Sequence, residues 1–226
     1  MKLLLILLAI SYPVLVHAAV ISGSERLIVV CIALLGTLLI APGLREGRRF
    51  AWLAAPMIVI AIVLLARAHA GWLPLYAPPV LVNSFLAWLF GRTLRSGQIP
   101  LIERLARLMH DPAEQLDAAV PMYARRLTFA WTVLFCTMAL LNLLLALCAV
   151  PSGILALLNV DPPVEVSLQT WSLFANVLNY LIAGGFFLAE YAYRQRRFPN
   201  QPYRNLFDFI RRATALSRRA LSPRQP

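Results

Sequence analysis

The sequence predicts an all-α membrane protein of six transmembrane helices with both termini inside and an amphipathic interfacial helix between spans four and five. The first observation behind this is composition, since 60% of the 226 residues are apolar and only 14% are charged. The second is that the apolar residues come in runs close to the ~20 residues that cross a bilayer core. These runs cover residues 3–21, 27–44, 50–66, 72–90, 127–150 and 171–189.

The third observation is the placement of the basic residues. All but two of the 21 Lys and Arg residues lie at the N-terminus, in the second and fourth gaps between runs, or in the C-terminal tail. The two exceptions are Arg26 and Arg67. Cytoplasmic loops retain Lys and Arg, so the alternation predicts a multi-pass protein of the cytoplasmic membrane with both termini cytoplasmic. Orientation in the membrane also accounts for the net charge of +11, and no nucleic-acid partner is expected.

The first span leaves an alternative open. Lys2, the apolar residues that follow it and the small-residue pattern Val16-His17-Ala18 are also typical of a cleaved secretory signal. The apolar stretch continues to Ile21, which is longer than a usual signal core, and this favours an uncleaved span. Cleavage would leave five spans and the same cytoplasmic surfaces.

Gap lengths and prolines organise the rest of the chain. The first four spans are joined by short gaps, which predicts neighbouring antiparallel helices. Pro74, Pro78 and Pro79 interrupt the fourth span and predict a kinked helix that faces protein. We expect spans one to four in 1–90, a cytoplasmic loop in 91–126, spans five and six in 127–190, and a basic cytoplasmic tail in 191–226.

The cytoplasmic loop contains a helical apolar pattern. Pro100 precedes apolar residues that recur on one helical face, namely Leu101, Ile102, Leu105, Leu108 and Met109. Glu103, Arg104 and Arg107 take the opposite face. The pattern predicts an amphipathic helix at the inner membrane surface.

The tail carries a second pattern of this kind. Arg204, Arg211 and Arg212 accompany an apolar stripe between Leu206 and Leu216. Basic side chains beside an anionic leaflet each add about 1 kcal/mol of attraction. We expect the basic faces of the loop helix and of the tail to bind membrane lipids. The more specific alternative is that they dock a protein partner.

Asparagines inside the predicted spans are the candidate site residues. Asn83, Asn142, Asn176 and Asn179 form a candidate polar ligand slot for a lipid head group or small ligand. The alternative, which the sequence favours, is that they only bond between helices, at ~0.6–2 kcal/mol each.

Three of these asparagines share helical faces with other residues of spans five and six. Asn142 shares one side of span five with Thr128, Trp131, Phe135 and Met138. The second stripe joins Asn176, Asn179, Ala183 and Glu190, with Gly184 and Gly185 permitting close helix approach.

Motifs of catalysis are missing from the sequence. It has no HExxH, GxSxG, P-loop or GxGxxG pattern, and the cluster around His110 and Asp111 lacks the spacing of an acyltransferase box. Cys31, Cys136 and Cys148 fall inside apolar spans and are interpreted as small buried residues. We therefore expect no catalytic residue, no cofactor and no metal site.

Segments 100–104, 126–131, 171–174 and 191–194 carry a family resemblance. They resemble the intracellular septation protein A family, multi-span bacterial inner-membrane proteins linked to envelope integrity. Over the whole chain the sequence looks more like an uncharacterised membrane-protein branch associated with aryl-polyene and xanthomonadin-type pigment gene clusters. The long connection 151–169 departs from the septation proteins. Neither resemblance supplies catalytic residues.

These observations lead to one hypothesis and its competitors. The resemblance implies a bacterial inner-membrane protein without enzymatic activity, an accessory in envelope lipid or aryl-polyene-type pigment biogenesis. Its partners would be membrane lipids and cytosolic biosynthetic or envelope proteins. The alternatives are a transporter or flippase of a lipidic substrate, and a protein of septation or cell-envelope maintenance.

Overall fold

The computed structural model describes residues 2–45, 47, 52, 56–61, 63–64, 72–109 and 119–197. Within these ranges the chain is mostly helical, with one short pair of parallel strands. The helices are α1 (Lys2–Ser22), α2 (Glu25–Arg45), α3 (Leu73–Gly91), α4 (Leu101–Met109), α5 (Val120–Cys148), α6 (Ile154–Leu157), α7 (Leu168–Leu173) and α8 (Asn179–Arg197). A 3-10 turn, Arg92–Leu94, follows α3, and a π-helical turn, Phe174–Leu178, joins α7 to α8.

Three continuous helical stretches among the described residues are long and apolar enough to cross a membrane. They are Leu73–Leu94, Val120–Cys148 and Leu168–Arg197, and they coincide with predicted spans four, five and six. The first two predicted spans are helices as well, α1 and α2. The third predicted span is described only at residues 52, 56–61 and 63–64, which are helical, and the tail beyond Arg197 lies outside the described residues.

A tight turn joins α1 to α2, and the two helices pack against each other as the short gap predicts. Gly23 has φ +60, a left-handed conformation that glycine adopts without steric cost, and its amide donates to the Val20 carbonyl at 3.3 Å. Ser24 then caps α2, because its hydroxyl oxygen accepts from the Leu27 amide at 3.4 Å.

The described contacts divide the chain into two compact units. The first comprises Met1–Asn83 and Thr137–Ala183. Its core is one contiguous apolar cluster contributed by α1, α2, the start of α3, the end of α5 and α7 with the π turn. The cluster includes Val16, Cys31, Leu75, Tyr76, Ala146, Trp171 and Ala175.

The second unit comprises Ser84–Cys136 and Gly184–Pro226. Aromatic rings fill its interior around Trp131, whose ring centroid lies 4.7 Å from that of Phe186 in an edge-on contact and 5.3 Å from that of Phe135. Phe90 completes the group at 5.7 Å from Phe135. Edge-to-face and offset ring pairs stabilise a core beyond simple area burial.

Strands β1 (Ala149–Val150) and β2 (Val166–Ser167) pair in parallel and bring together the two ends of the connection between α5 and α7. Gly153 lies where this connection turns back, and its amide donates to the Ala149 carbonyl at 2.8 Å. A Cβ built on Gly153 would overlap the carbonyl oxygen and backbone of Ala149, so only glycine fits there.

The face that α4 buries differs from the predicted one. Glu103 was expected on the polar face, but it is only 6% exposed, whereas Leu108 on the predicted apolar face is 55% exposed. The reason is that α4 is attached to the second unit through its first turn, which turns Glu103 inward. The negative charge of the buried Glu103 is compensated by Arg107, whose Nε lies 3.0 Å from Oε1 of the carboxylate.

Three smaller expectations also need correction. Gly184 and Gly185 are exposed, and a Cβ on either would meet no atom within 4 Å, so the expected close helix approach does not occur among the described residues. The reason is that both lie on the side of α8 opposite Asn179. Cys31 is buried as expected, but Cys136 is exposed. Helix α3, which contains Pro78 and Pro79, faces protein on one side only, since Leu75 is buried but Leu81 is exposed, while the kink itself stays a prediction.

Candidate functional site

The first unit contains a buried polar cluster, and two of the predicted asparagines meet in it. Nδ2 of Asn142 on α5 donates to Oδ1 of Asn179 on α8 at 3.2 Å and to the Met138 carbonyl at 2.7 Å. Nδ2 of Asn179 donates to the Ala175 carbonyl at 3.2 Å. Asn142 is 0% exposed. The two amides therefore link helix α5 to the last span inside the apolar core.

A second chain of hydrogen bonds passes through Ser172. Its Oγ lies 2.9 Å from Nδ1 of His17 on α1 and accepts from Nδ2 of Asn176 at 3.1 Å. The hydroxyl of Ser172 therefore bridges a ring nitrogen of α1 and an amide of the last span. Ser172 is fully buried. This serine and histidine therefore join α1 to α7 within the first unit.

The π turn lies between Ser172 and Asn179, which belong to these two hydrogen-bonded groups. Phe174–Leu178 has the wider i→i+5 pattern, with Asn176 inside it and Asn179 directly after it. The side chain of Asn179 supplies a donor to a carbonyl within the turn, that of Ala175. Single π turns inside α-helices are rare and are frequent at functional sites. This turn gives the last span an irregular, side-chain-supported backbone at the polar cluster.

Three buried polar atoms of the first unit have no hydrogen-bond partner among the residues that the structure describes. They are the Tyr12 hydroxyl, the Trp171 indole Nε1 and Oδ1 of Asn142. Trp171 is 0% exposed and Tyr12 is 8% exposed. A buried polar atom without a partner is uncommon in a folded protein, and each instance requires an explanation.

Tyr76 supports Trp171 from α3. Their ring centroids are 4.5 Å apart at an interplanar angle of 73°, an edge-to-face contact. The Tyr76 hydroxyl donates to the Ser152 carbonyl at 3.3 Å, so it is paired, unlike that of Tyr12. Trp171 is thus held rigidly, with its indole N–H inside the core.

The fourth predicted asparagine, Asn83, lies apart from this hydrogen-bonded cluster. It is buried, but its Nδ2 donates to the Pro79 carbonyl at 2.7 Å within its own helix. This is the bond that a polar side chain makes to the carbonyl four residues earlier in its own helix. The structure therefore joins Asn142 to Asn179, joins Asn176 to Ser172, and leaves Asn83 with α3.

The second unit provides a different candidate surface at α4. The Leu101 amide donates to Oγ1 of Thr93 at 3.0 Å, and the Ile102 amide donates to Oγ1 of Thr128 at 3.4 Å. Both threonines are buried. Two orphan donors of the first turn of α4 are thus satisfied by hydroxyls from other elements.

Arginines surround this attachment. Nη2 of Arg125 donates to the Leu94 carbonyl at 2.9 Å, and the guanidinium of Arg92 lies 4.6 Å from the centroid of the Trp88 ring. Arg104 is exposed, and the side chain of Arg107 is 54% exposed while it pairs with Glu103. Of the predicted basic faces, Arg104 and Arg107 are therefore placed on a fixed helix, while Arg204, Arg211 and Arg212 lie outside the described residues.

Glu190 of the second stripe has two partners in the second unit. Its Oε1 accepts from the Tyr123 hydroxyl at 3.0 Å and forms an ion pair with Nε of Arg194 at 3.0 Å. The Tyr123 and Tyr193 rings stack beside it with centroids 6.0 Å apart. The carboxylate thus joins α8 to the first turns of α5.

No group of three or more His, Cys, Asp or Glu side chains that could hold a metal ion occurs among the described residues. His110 and Asp111 lie outside them.

Sequence reasoning identified the asparagines but missed Tyr12, Trp171 and Ser172. Apolar periodicity could have placed Tyr12 and Trp171 on buried faces, but nothing in the sequence marks their polar atoms as unpaired. No protein-family model, no curated protein and no solved structure matches the chain.

Proposed function

We propose that this chain is a non-enzymatic accessory protein of the bacterial inner membrane, with six spans and both termini in the cytoplasm. It acts in envelope lipid or aryl-polyene-type pigment biogenesis. Its inner surface holds anionic lipid and recruits the cytosolic proteins that make or use acyl products. The alternation of basic gaps supports the orientation, and three apolar helices of membrane-spanning length support insertion.

The observation that carries the proposal is the fixed position of α4. Buried threonine hydroxyls hold its first turn, and Leu105 and Leu108 are exposed beside Arg104. Exposed leucines beside an exposed arginine suit the boundary between acyl chains and anionic head groups. A rigidly attached helix of this composition is a membrane-surface platform.

The experiment is a deletion in the native host, complemented with wild-type protein or with a Leu105→Ser/Leu108→Ser variant. Lipid extracts are measured for conjugated-polyene absorbance, and cells are examined by microscopy. We expect the deletion to lose the absorbance and the variant to restore it poorly. A Leu157→Ser/Leu158→Ser variant, which alters exposed leucines of the α5–α7 connection, is the matched control and should restore it fully.

Two outcomes would redirect the proposal. Unchanged lipids with filamentous or osmotically fragile cells would favour the septation and envelope-maintenance alternative. Reporter fusions at residues 22–26, 45–49 and 91–126 test the topology independently. An exported reporter at 91–126 would contradict the cytoplasmic placement of α4.

A transporter or flippase of a lipidic substrate is the second candidate, and one specific observation favours it. The π turn and the Asn142–Asn179 pair place irregular backbone and polar groups inside an apolar core. On this hypothesis Asn179→Ala abolishes substrate movement in proteoliposomes while protein abundance is unchanged. Parallel loss of abundance and activity would make the asparagine structural.

A further inference from the structure

We propose that the second unit binds one anionic phospholipid at the end of α3, with the phosphate on Arg92 and Arg125 and an acyl chain along Phe85 and Trp88. The inference rests on the membrane placement proposed above and deepens it by naming a lipid site outside α4. Its basis is a row of exposed aromatic rings that leads directly to exposed guanidinium groups.

The aromatic row lies on the exposed face of α3. Phe85 is 57% exposed and Trp88 is 53% exposed, and their ring centroids lie 6.0 Å apart. Ala87 of the same helix is only 7% exposed and belongs to the covered face. Because both rings are exposed, an acyl chain can lie against their large apolar surfaces without displacing protein.

Arg92 continues this row one helical turn beyond Trp88. Its guanidinium carbon lies 4.6 Å from the centroid of the Trp88 ring, within the range of a cation–π contact. Tryptophan rings of membrane proteins concentrate at the level of the lipid head groups. The contact therefore holds the Arg92 charge at the depth at which lipid phosphates lie.

Arg125 brings a second positive charge to the same place. Its Nη2 donates at 2.9 Å to the carbonyl of Leu94, which belongs to the same 3-10 turn as Arg92. Arg125 is exposed, and the other N–H groups of its guanidinium point away from this bond. Arg95, also exposed, directly follows the turn. Planar guanidinium groups bind phosphate oxygens through paired hydrogen bonds, so this turn suits a phosphate.

The turn that carries these charges is fixed in position. Oγ1 of Thr93 donates to the Phe90 carbonyl at 2.7 Å and accepts from the Leu101 amide at 3.0 Å. Thr93 is buried, whereas its neighbour Arg92 is exposed. A site whose backbone is already ordered loses less conformational entropy when its ligand binds.

Charge complementarity selects an anionic lipid. Among the described residues of the second unit only Glu103 and Glu190 are acidic, and each is already paired with an arginine of its own helix. Neither carboxylate is therefore left to neutralise Arg92 and Arg125. The phosphatidylglycerol head group supplies a net negative charge, whereas the choline of phosphatidylcholine would bring a positive charge to the same arginines.

The test uses the purified full chain in a neutral detergent and three probes: phosphatidylglycerol, phosphatidylcholine with the same acyl chains, and sn-glycerol 3-phosphate. Native mass spectrometry counts the bound molecules while each probe is titrated. We expect saturable binding of phosphatidylglycerol, about tenfold weaker binding of phosphatidylcholine and no binding of sn-glycerol 3-phosphate. Equal affinity for the two lipids overturns the proposal. Binding of sn-glycerol 3-phosphate as tight as that of phosphatidylglycerol also overturns it, because the site would then serve a soluble anion.

Arg92→Gln is the diagnostic variant, because it removes a charge from an exposed side chain and should leave the fold intact. We expect it to weaken phosphatidylglycerol binding about fivefold, the effect of one positive charge beside an anionic lipid. Arg196→Gln, which removes the same charge from an exposed side chain of α8, is the matched control and should bind like the wild type. Equal weakening by the two variants would show that only net charge matters, and this would overturn the proposal.

Trp88→Leu tests the geometry at constant charge. It removes the ring beneath Arg92 but keeps an apolar side chain, so attraction by net charge alone would be unaffected. We expect about threefold weaker binding of phosphatidylglycerol, the effect of one exposed cation–π contact. Phe129→Leu, which removes a 60% exposed ring from α5, is the control and should bind like the wild type. Unchanged binding by both Arg92→Gln and Trp88→Leu overturns the proposal.

The two proposals fail separately. A deletion strain that loses its conjugated-polyene absorbance, combined with a protein that binds both lipids equally, removes the lipid site alone. Selective binding of phosphatidylglycerol combined with a normal deletion strain removes the biogenesis proposal alone.

Discussion

Nδ2 of Asn142 donates a 3.2 Å hydrogen bond to Oδ1 of Asn179, joining two helices whose contact residues are 37 positions apart in the sequence. Hydrogen bonds of this kind between membrane helices average ~0.6 kcal/mol in double-mutant cycles. The first prediction is a coupling free energy of about that size between Asn142→Ala and Asn179→Ala. It is measured from the unfolding of the two single variants and the double variant in bicelles.

A coupling free energy near zero would show that the two amides act independently. The Asn83→Ala variant, combined with Asn179→Ala, is the control. Asn83 bonds within its own helix, so this second pair should be additive.

The second prediction concerns two glycines with opposite surroundings. A methyl group at Gly153 collides with the Ala149 carbonyl, whereas one at Gly184 meets no atom within 4 Å. Gly153→Ala should therefore lower the free energy of unfolding by ~1–3 kcal/mol, because the backbone must move. Gly184→Ala should raise it by ~0.5–1 kcal/mol, because alanine is the better helix former.

Chemical unfolding of the two purified variants against wild type decides this. If Gly153→Ala were as stable as wild type, the tight turn at residues 149–153 would be absent from the folded protein.

The third prediction tests the attachment of α4. Thr128→Val keeps the side-chain shape but removes the hydroxyl that accepts from the Ile102 amide. An unsatisfied first-turn donor costs ~1 kcal/mol, as loss of an N-cap does. We expect hydrogen exchange at residues 101–103 to accelerate about fivefold.

Thr132→Val is the matched control for this variant. The Thr132 hydroxyl donates to the Thr128 carbonyl within its own helix, so its loss should not alter exchange in α4. Equal acceleration in the two variants would contradict the role of Thr128.

The fourth prediction separates charge from hydrogen bonding at Glu190. Glu190→Gln retains an acceptor for the Tyr123 hydroxyl but removes the ion pair with Arg194. In this pair the side chain of Glu190 is 7% exposed and that of Arg194 is 16% exposed. Loss of one charge from a largely buried pair should cost ~1–3 kcal/mol. Tyr123→Phe, which removes the hydrogen bond alone, should cost ~1 kcal/mol.

Unfolding free energies of the two variants check this. A smaller effect of Glu190→Gln than of Tyr123→Phe would mean that the ion pair contributes little and that the tyrosine hydroxyl is the dominant partner.

Helix positions were predictable because hydropathy and periodicity are local properties. The apolar runs at 72–90, 127–150 and 171–189 became the three helices of spanning length. Four residues of the expected row on span five, Thr128, Phe135, Met138 and Asn142, are buried, and the fifth, Trp131, is partly buried. The third span is described only in part, and the placement of the tail arginines remains a prediction because they lie outside the described residues.

Contacts between distant residues were not predictable in this way. His17 and Ser172 are separated by 155 positions, and no periodicity links them. The π turn is equally hidden, because its sequence is ordinary for an apolar helix. Glu103 was misplaced because helical spacing shows which residues share a face and not which face the protein covers. The threonine contacts at Leu101 and Ile102 decide that orientation.

Those threonine contacts have a mechanical consequence. The first turn of α4 is bonded at once to Thr93, just beyond the end of α3, and to Thr128 near the start of α5. If Thr93 and Thr128 moved apart, the hydrogen bond from the Leu101 amide or the one from the Ile102 amide would have to lengthen or break. Helix α4 therefore couples the position of the end of α3 to that of the start of α5, and its exposed Arg104 is fixed relative to both.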